Sequence, residues 1–262
     1  SPGKQNNERY YSKGVLHTRC CRTRDQETKR EVKRLNYYHT NEEIDEIGEG
    51  LIRKYDYNAF IRGESTNIEG FITEHLNYRI VYDRIADSDA GRMAFLSDGK
   101  TPLWVWRNGK RTQVIPPSNT IIIDEFLRQE NAKTRRRFIL AHEAGHIIMD
   151  LLCNVPVTAA FNNEFDSEQS YSIQDLACMF NINENKATSM GVALLMPRTS
   201  VINRAKQLIT TKRIPLYGNS VLCDKDRMVI SKLAEHFQVS YKSMFYRLRD
   251  LKMFEPRDID EY

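Results

Sequence analysis

Phe138-Ile139-Leu140-Ala141-His142-Glu143-Ala144-Gly145-His146-Ile147-Ile148-Met149-Asp150 is the stretch that decides how the chain is read. No proline lies between Asn131 and Cys153, and the one glycine there is Gly145. Ile139, Leu140, Ile147, Ile148, Met149, Leu151 and Leu152 make the segment apolar enough for a buried helix. On a helix, residues i and i+4 share a face one turn apart, so His142 and His146 can aim two imidazoles at one ion. Glu143 stands about 100° round from His142, beside that ion and not on it. There it can take a proton from a water at the metal. Two histidines and a glutamate in apolar surroundings are costly unless paired or ligated. His-Glu-x-x-His fixes only three positions and also arises by chance; the helical context favours a zinc hydrolase site.

Working outward, 262 residues suffice for one large domain or two small ones, each with a real core. The 39 Lys and Arg against 35 Asp and Glu leave a net charge of +4. No apolar run approaches membrane-spanning length, and no signal peptide is legible. Cys20, Cys21, Cys153, Cys178 and Cys223 are odd in number and form no C-x-x-C. They predict reduced thiols in a cytoplasmic protein, without a cysteine zinc site. Cys153 reads as a small core residue.

The sequence divides into three parts. Residues 1–36 are polar and basic, with ten Lys or Arg from Lys4 to Arg34, and read as a flexible arm. A basic contact with nucleic acid or an acidic partner is the sharper alternative. Residues 37–200 read as a metallopeptidase core. Thr40 or Asn41 caps a helix whose buried face is Ile44, Ile47, Leu51, Ile52 and Tyr55. A short helix follows over Ile68 to Leu76. Strands are predicted at residues 78–82, 93–96, 102–107, 112–115 and 120–123, with Asp98-Gly99 and Asn108-Gly109 as hairpin turns. Trp104 and Trp106 share one side of their strand and are expected to pack in the core or on the sheet. The architecture is thus α+β: a small antiparallel sheet carrying the His-Glu-x-x-His helix. Residues 154–181 look like loop, with a short helix near 172–180, before a helix from Glu184 to Met196 that Pro197 ends.

A catalytic zinc site needs a third protein ligand and an open position. Glu184, near the start of that helix, is well placed; Asp150, Asp166 and Asp175 compete with it. Around these residues the chain resembles the ImmA/IrrE family of bacterial zinc metallopeptidases. The resemblance rests on Arg137-Phe138-Ile139-Leu140-Ala141, on His142-Glu143-Ala144-Gly145-His146, and downstream on Glu184, Ala187, Leu194, Leu195, Met196 and Pro197. The chain departs from the family's usual pattern at Thr188 (for Asn), Met190 (for Phe) and Gly191-Val192 (for Ala-Ala). The resemblance implies a zincin-like core, Zn2+ held by His142, His146 and Glu184, and Glu143 as general base. Its members act on helix-turn-helix repressors in stress response or mobile-element excision, which implies a protein substrate of that kind. A donor for the oxyanion is also needed; Tyr171, Arg198, Arg204 and Tyr217 are candidates by residue type.

Residues 201–262 read as helical. Val229 to Gln238, Val239-Ser240 and Tyr241 to Leu251 form a helix-turn-helix-like pattern, in which Lys242, Tyr246, Arg247 and Arg249 would face outward and could reach DNA. Packing under the core or binding a protein partner is the plainer reading. The sequence therefore points to an intracellular zinc endopeptidase. The alternatives are a DNA- or partner-binding regulator with a structural or vestigial metal site, and a toxin or phage-defence protease with the same chemistry.

Overall fold

The computed structural model describes residues 40–86, 92–153, 160–163, 182–218 and 220–262. The basic arm, the expected helix near 172–180, and Tyr171, Asp166 and Asp175 lie outside them. The described chain is a mixture of helices and small sheets, as the α+β reading expected. No described helix is long and apolar enough to cross a membrane.

Helix α1 (Asn41–Tyr55) starts at a capping box: Thr40 Oγ1 accepts from Glu43 N, and Thr40 N donates to the Glu43 carboxylate. Ile44 and Ile52 on its inner face are buried. A short helix α2 (Tyr57–Arg62) and helix α3 (Ile68–Gly70), which continues as a π turn over Phe71–His75, lead to the sheet.

That sheet differs from the expected antiparallel meander. Its strands are β1 (Arg79–Asp83), β2 (Arg92–Ser97), β5 (Thr120–Asp124) and β6 (Ala160–Asn163), in the order β1-β5-β2-β6. β1 runs parallel to β5, with Arg79 opposite Thr120; the other pairings are antiparallel. Asp98-Gly99 does not close a hairpin. The Asp98 carboxylate accepts from the backbone N–H groups of Lys100 and Thr101 and turns the chain off the sheet. It returns as β5, inserted between β1 and β2. Thr120-Ile121-Ile122-Ile123 is buried throughout, as suits a central strand covered on both faces. β6 falls inside the segment read as loop.

The excursion forms a separate hairpin of β3 (Leu103–Arg107) and β4 (Lys110–Val114). Asn108 and Gly109, at φ 51° and 72°, supply the two left-handed residues of a tight hairpin turn. Leu103 and Val105 are buried with Phe95 and Ile122. Trp104 and Trp106 share the opposite face, and it is the outer one; they do not enter the core. The Arg111 guanidinium lies 5.0 Å from the Trp104 ring centre.

Helix α4 (Lys133–Cys153) carries the motif, and every side chain from Phe138 to Met149 is buried. Helices α5 (Ile182–Leu195), α6 (Arg198–Leu208), α7 (Asp224–Phe237) and α8 (Tyr241–Asp250) complete the described helices. One apolar core includes Ile44, Ile123, Leu140 and Leu194 and continues through Leu233, Phe237, Met244 and Leu248.

The C-terminal helix pair is turned by Gln238, left-handed at φ 54°, and Ser240 caps α8 by accepting from Ser243 N. Arg247 corrects the expectation of an outward basic face. It is buried, paired through both terminal nitrogens with the Asp45 carboxylate of α1, and donates to Met196 O at the end of α5. A second buried arginine, Arg137 of α4, donates to Gln238 O, Ser65 Oγ and Thr66 O. Burial lowers its pKa to about 10, and it remains a cation. The two arginines tie the C-terminal pair to the helices bearing the motif residues. The C-terminal region read as helical also holds two further strands, β7 (Ile214–Tyr217) and β8 (Phe254–Arg257), paired in parallel. Proline in each is tolerated because a two-stranded ribbon has two open edges.

Candidate metal centre

The site is made where α4 crosses α5. On α4 the helical repeat stacks His142 under His146. On α5, Glu184 and Thr188 are likewise four residues apart and share a face. What lets these side chains meet is the closeness of the two backbones. A Cβ on Gly145 would lie 3.0 Å from Ala187 Cα and 2.8 Å from its carbonyl carbon, with the carbonyl oxygen nearer still. A Cβ on Gly191 would lie 2.8 Å from Ala141 O and 3.0 Å from His142 N. The sequences Ala141-x-x-x-Gly145 and Ala187-x-x-x-Gly191 thus offer one another flat, small surfaces. Larger residues at either glycine would force the helices apart.

The two Nε2 atoms of His142 and His146 are 3.0 Å apart, and each is 3.2 Å from Glu184 Oε2. Among the described residues, these three form the group whose donor atoms converge enough to hold a metal. An ion with tetrahedral bonds near 2.0–2.1 Å sets its ligand atoms about 3.3 Å apart, so the triangle fits with small adjustments. Two imidazoles and one carboxylate are also the donor set of several catalytic zinc sites. Asp150, one turn beyond His146, is not in the group.

The charges respond to this crowding. Burial pushes the Glu184 carboxyl up, but its bonds with His142 and His146 outweigh this and hold it at about 2. Burial dominates at His142 and lowers its pKa. At His146 burial also opposes the charge, but Glu184, Glu143 and Asp150 together raise the pKa. The directions differ because burial leads at His142 and the three carboxylates prevail at His146. Burial raises Asp150 to about 6.

Glu143 is fully buried, and neither carboxylate oxygen has a hydrogen-bond partner among the described residues. Burial pushes its carboxyl up to about 7. An unpartnered buried carboxyl costs stability, which is the usual mark of a group kept for chemistry. The oxyanion candidates fare differently. Arg198 is exposed at the start of α6, Arg204 donates to Gln207 Oε1, and the Tyr217 ring packs edge-on against Tyr262.

Two further residues belong to the arrangement. Thr188 Oγ1 is 3.1 Å from His142 Nδ1, and Gly191 permits the close crossing. The sequence carried a signal for Thr188, four residues after Glu184 and hence on its face. Nothing local marks Gly191 as a crossing point.

A family model described as the IrrE N-terminal-like domain, Peptidase M78, matches residues 109–249. No curated protein matches the chain. The matched span is more than half of the sequence and contains all four motif residues. It supports a protease, and the converging His142, His146 and Glu184 support a bound metal. The chain belongs to the IrrE N-terminal-like family of peptidases.

Proposed function

We propose that this protein is a zinc-dependent endopeptidase that cleaves a helix-turn-helix transcriptional repressor. The observation that carries the reading is the pairing, among the described residues, of a three-donor triangle with a buried Glu143 that has no hydrogen-bond partner. A structural zinc site closes four ligands round the ion and has no use for such a carboxylate. His142, His146 and Glu184 would hold the ion, leaving a position for substrate. Zinc bound there supplies Lewis acidity to a peptide carbonyl and to water.

Glu143 does the proton work. With a pKa of about 7 it is poised to accept a proton from the attacking water at neutral pH and to return it to the departing amine nitrogen. Glu184, held as a carboxylate, gives the triangle its negative charge. The repressor substrate is supported by the family resemblance, as is a cytoplasmic place of work, where repressors meet DNA.

The test is metal content and cleavage together. Wild type and Glu143→Gln should each bind about one zinc per chain, and His142→Ala should lose it. Repressors encoded beside this protein's gene, incubated with zinc-loaded enzyme, should be cut by wild type and left intact by Glu143→Gln. A wild-type protein that takes up no zinc on dialysis refutes the proposal. Salt-sensitive duplex binding that survives Glu143→Gln, without cleavage, would favour a DNA-binding regulator instead.

A further inference from the structure

We infer that Thr188 is a positioning residue for the metal centre: its hydroxyl oxygen accepts the Nδ1 proton of His142 and so keeps the Nε2 lone pair free for the ion. The inference rests on the metal-centre reading above. His142 has two ring nitrogens with different surroundings. Nε2 faces His146 Nε2 at 3.0 Å and Glu184 Oε2 at 3.2 Å; Nδ1 faces Thr188 Oγ1 at 3.1 Å. Only Nε2 points into the triangle, so only Nε2 can be the ligand atom.

A neutral imidazole carries one proton. If Nε2 is the ligand atom, that proton sits on Nδ1, and Thr188 is its acceptor. The reverse bond, hydroxyl to Nδ1, would leave the proton on Nε2 and disable the ligand. His142 is 0% exposed, so water cannot take over from Thr188. The ring is held in place by the same contact, because rotating it away would leave a buried N–H without a partner.

The position of Thr188 also follows from the helix crossing. It lies one turn after Glu184 on α5, so one helix face supplies both a ligand and the group that orients another ligand. Gly191, three residues further on, passes the Ala141–His142 backbone closely enough for a side chain as short as threonine to reach the ring. Among the described residues His146 has no such acceptor at its other nitrogen, and so the two histidines should respond differently to mutation at residue 188.

The experiment measures zinc affinity of the full chain by competition with a chromophoric chelator. It also reads the exchange of the His142 Nδ1 proton by NMR in zinc-loaded protein, where the ion takes Nε2. Thr188→Val nearly preserves shape and removes the acceptor; Thr188→Ser retains it. The Val variant should bind zinc about tenfold to a hundredfold more weakly, the range seen on loss of such partners. Its His142 Nδ1 proton should also exchange faster with water once the Thr188 acceptor is gone, while that of His146 is unchanged. The Ser variant should stay close to wild type in both readouts. Should the Val variant fail to fold, Thr188→Ala carries the same expectation. Equal zinc affinity and an unchanged His142 Nδ1 proton in the Val variant, with wild type binding zinc, overturn the inference alone. A Ser variant as weak as the Val variant also overturns it, since packing would then be the cause. A wild type that binds no zinc overturns the metal-centre reading, and this inference falls with it.

Discussion

Replacing Gly145 by alanine tests whether backbone contact between α4 and α5 is what assembles the metal centre. The added Cβ would sit 2.8 Å from the Ala187 carbonyl carbon and 3.0 Å from its Cα. Carbon atoms pack comfortably at about 3.5–4.0 Å, so the helices must part by roughly 1 Å. Both partners are backbone, which cannot swing aside as a flexible side chain would. Overpacking of this kind costs about 1–3 kcal/mol, offset by about 1 kcal/mol from the better helix propensity of alanine. A net loss of roughly 0–2 kcal/mol leaves most of the protein folded. The consequence for the site is larger. Glu184 rides on α5 and both histidines on α4, and metal sites tolerate only about 0.2 Å of error in ligand distance. Zinc affinity should therefore fall by about tenfold or more even where the fold survives. Gly50→Ala is the control: that glycine lies exposed in α1 with nothing within 4 Å of the added carbon. It should raise stability by about 1 kcal/mol and leave zinc binding alone. Urea midpoints and chelator competition on the three proteins decide the matter. A Gly145→Ala protein with wild-type zinc affinity would refute the reasoning, because Glu184 would then reach the histidines without the close crossing.

In chelated protein, Glu143→Gln should be more stable than wild type at about pH 8, by roughly 2–3 kcal/mol as an upper figure. The folded pKa of Glu143 is raised, so the stability of its neutral form is full below about 4.5 and lost as pH rises through about 7. Urea midpoints of the pair should therefore converge toward pH 5, and a constant gap would contradict the assignment. Glu184→Gln should abolish tight zinc binding, read by metal content after dialysis, since it removes the one anionic donor of the triangle. Arg247→Met should cost roughly 3–5 kcal/mol in urea denaturation by stranding the Asp45 carboxylate and Met196 O. Adding Asp45→Asn should recover part of that loss, and no recovery would show that the ion pair is not the cause.

The sequence by itself determined what neighbouring residues can specify. Four-residue spacing on a proline-free helix puts His142 and His146 on one face wherever that helix is packed. Thr40 with Glu43 closes a helix end, and Asn108-Gly109 makes a two-residue turn, through contacts only a few residues long. Glu184 was legible as a carboxylate at the head of a helix, but its meeting with histidines 38 residues or more away was not a local property. Tertiary structure decided that meeting, through two glycines whose value lies in what they leave out. It also decided the sheet order, because strand propensity says where a strand forms and nothing about its partner: β5 entered between β1 and β2, and β7 and β8 paired across most of the C-terminal region. Burial was not legible where amphipathic side chains could serve on either side. Trp104 and Trp106 ended outside because Leu103 and Val105 took the inner face, and Arg247 ended inside because Asp45 and Met196 O were there to receive it.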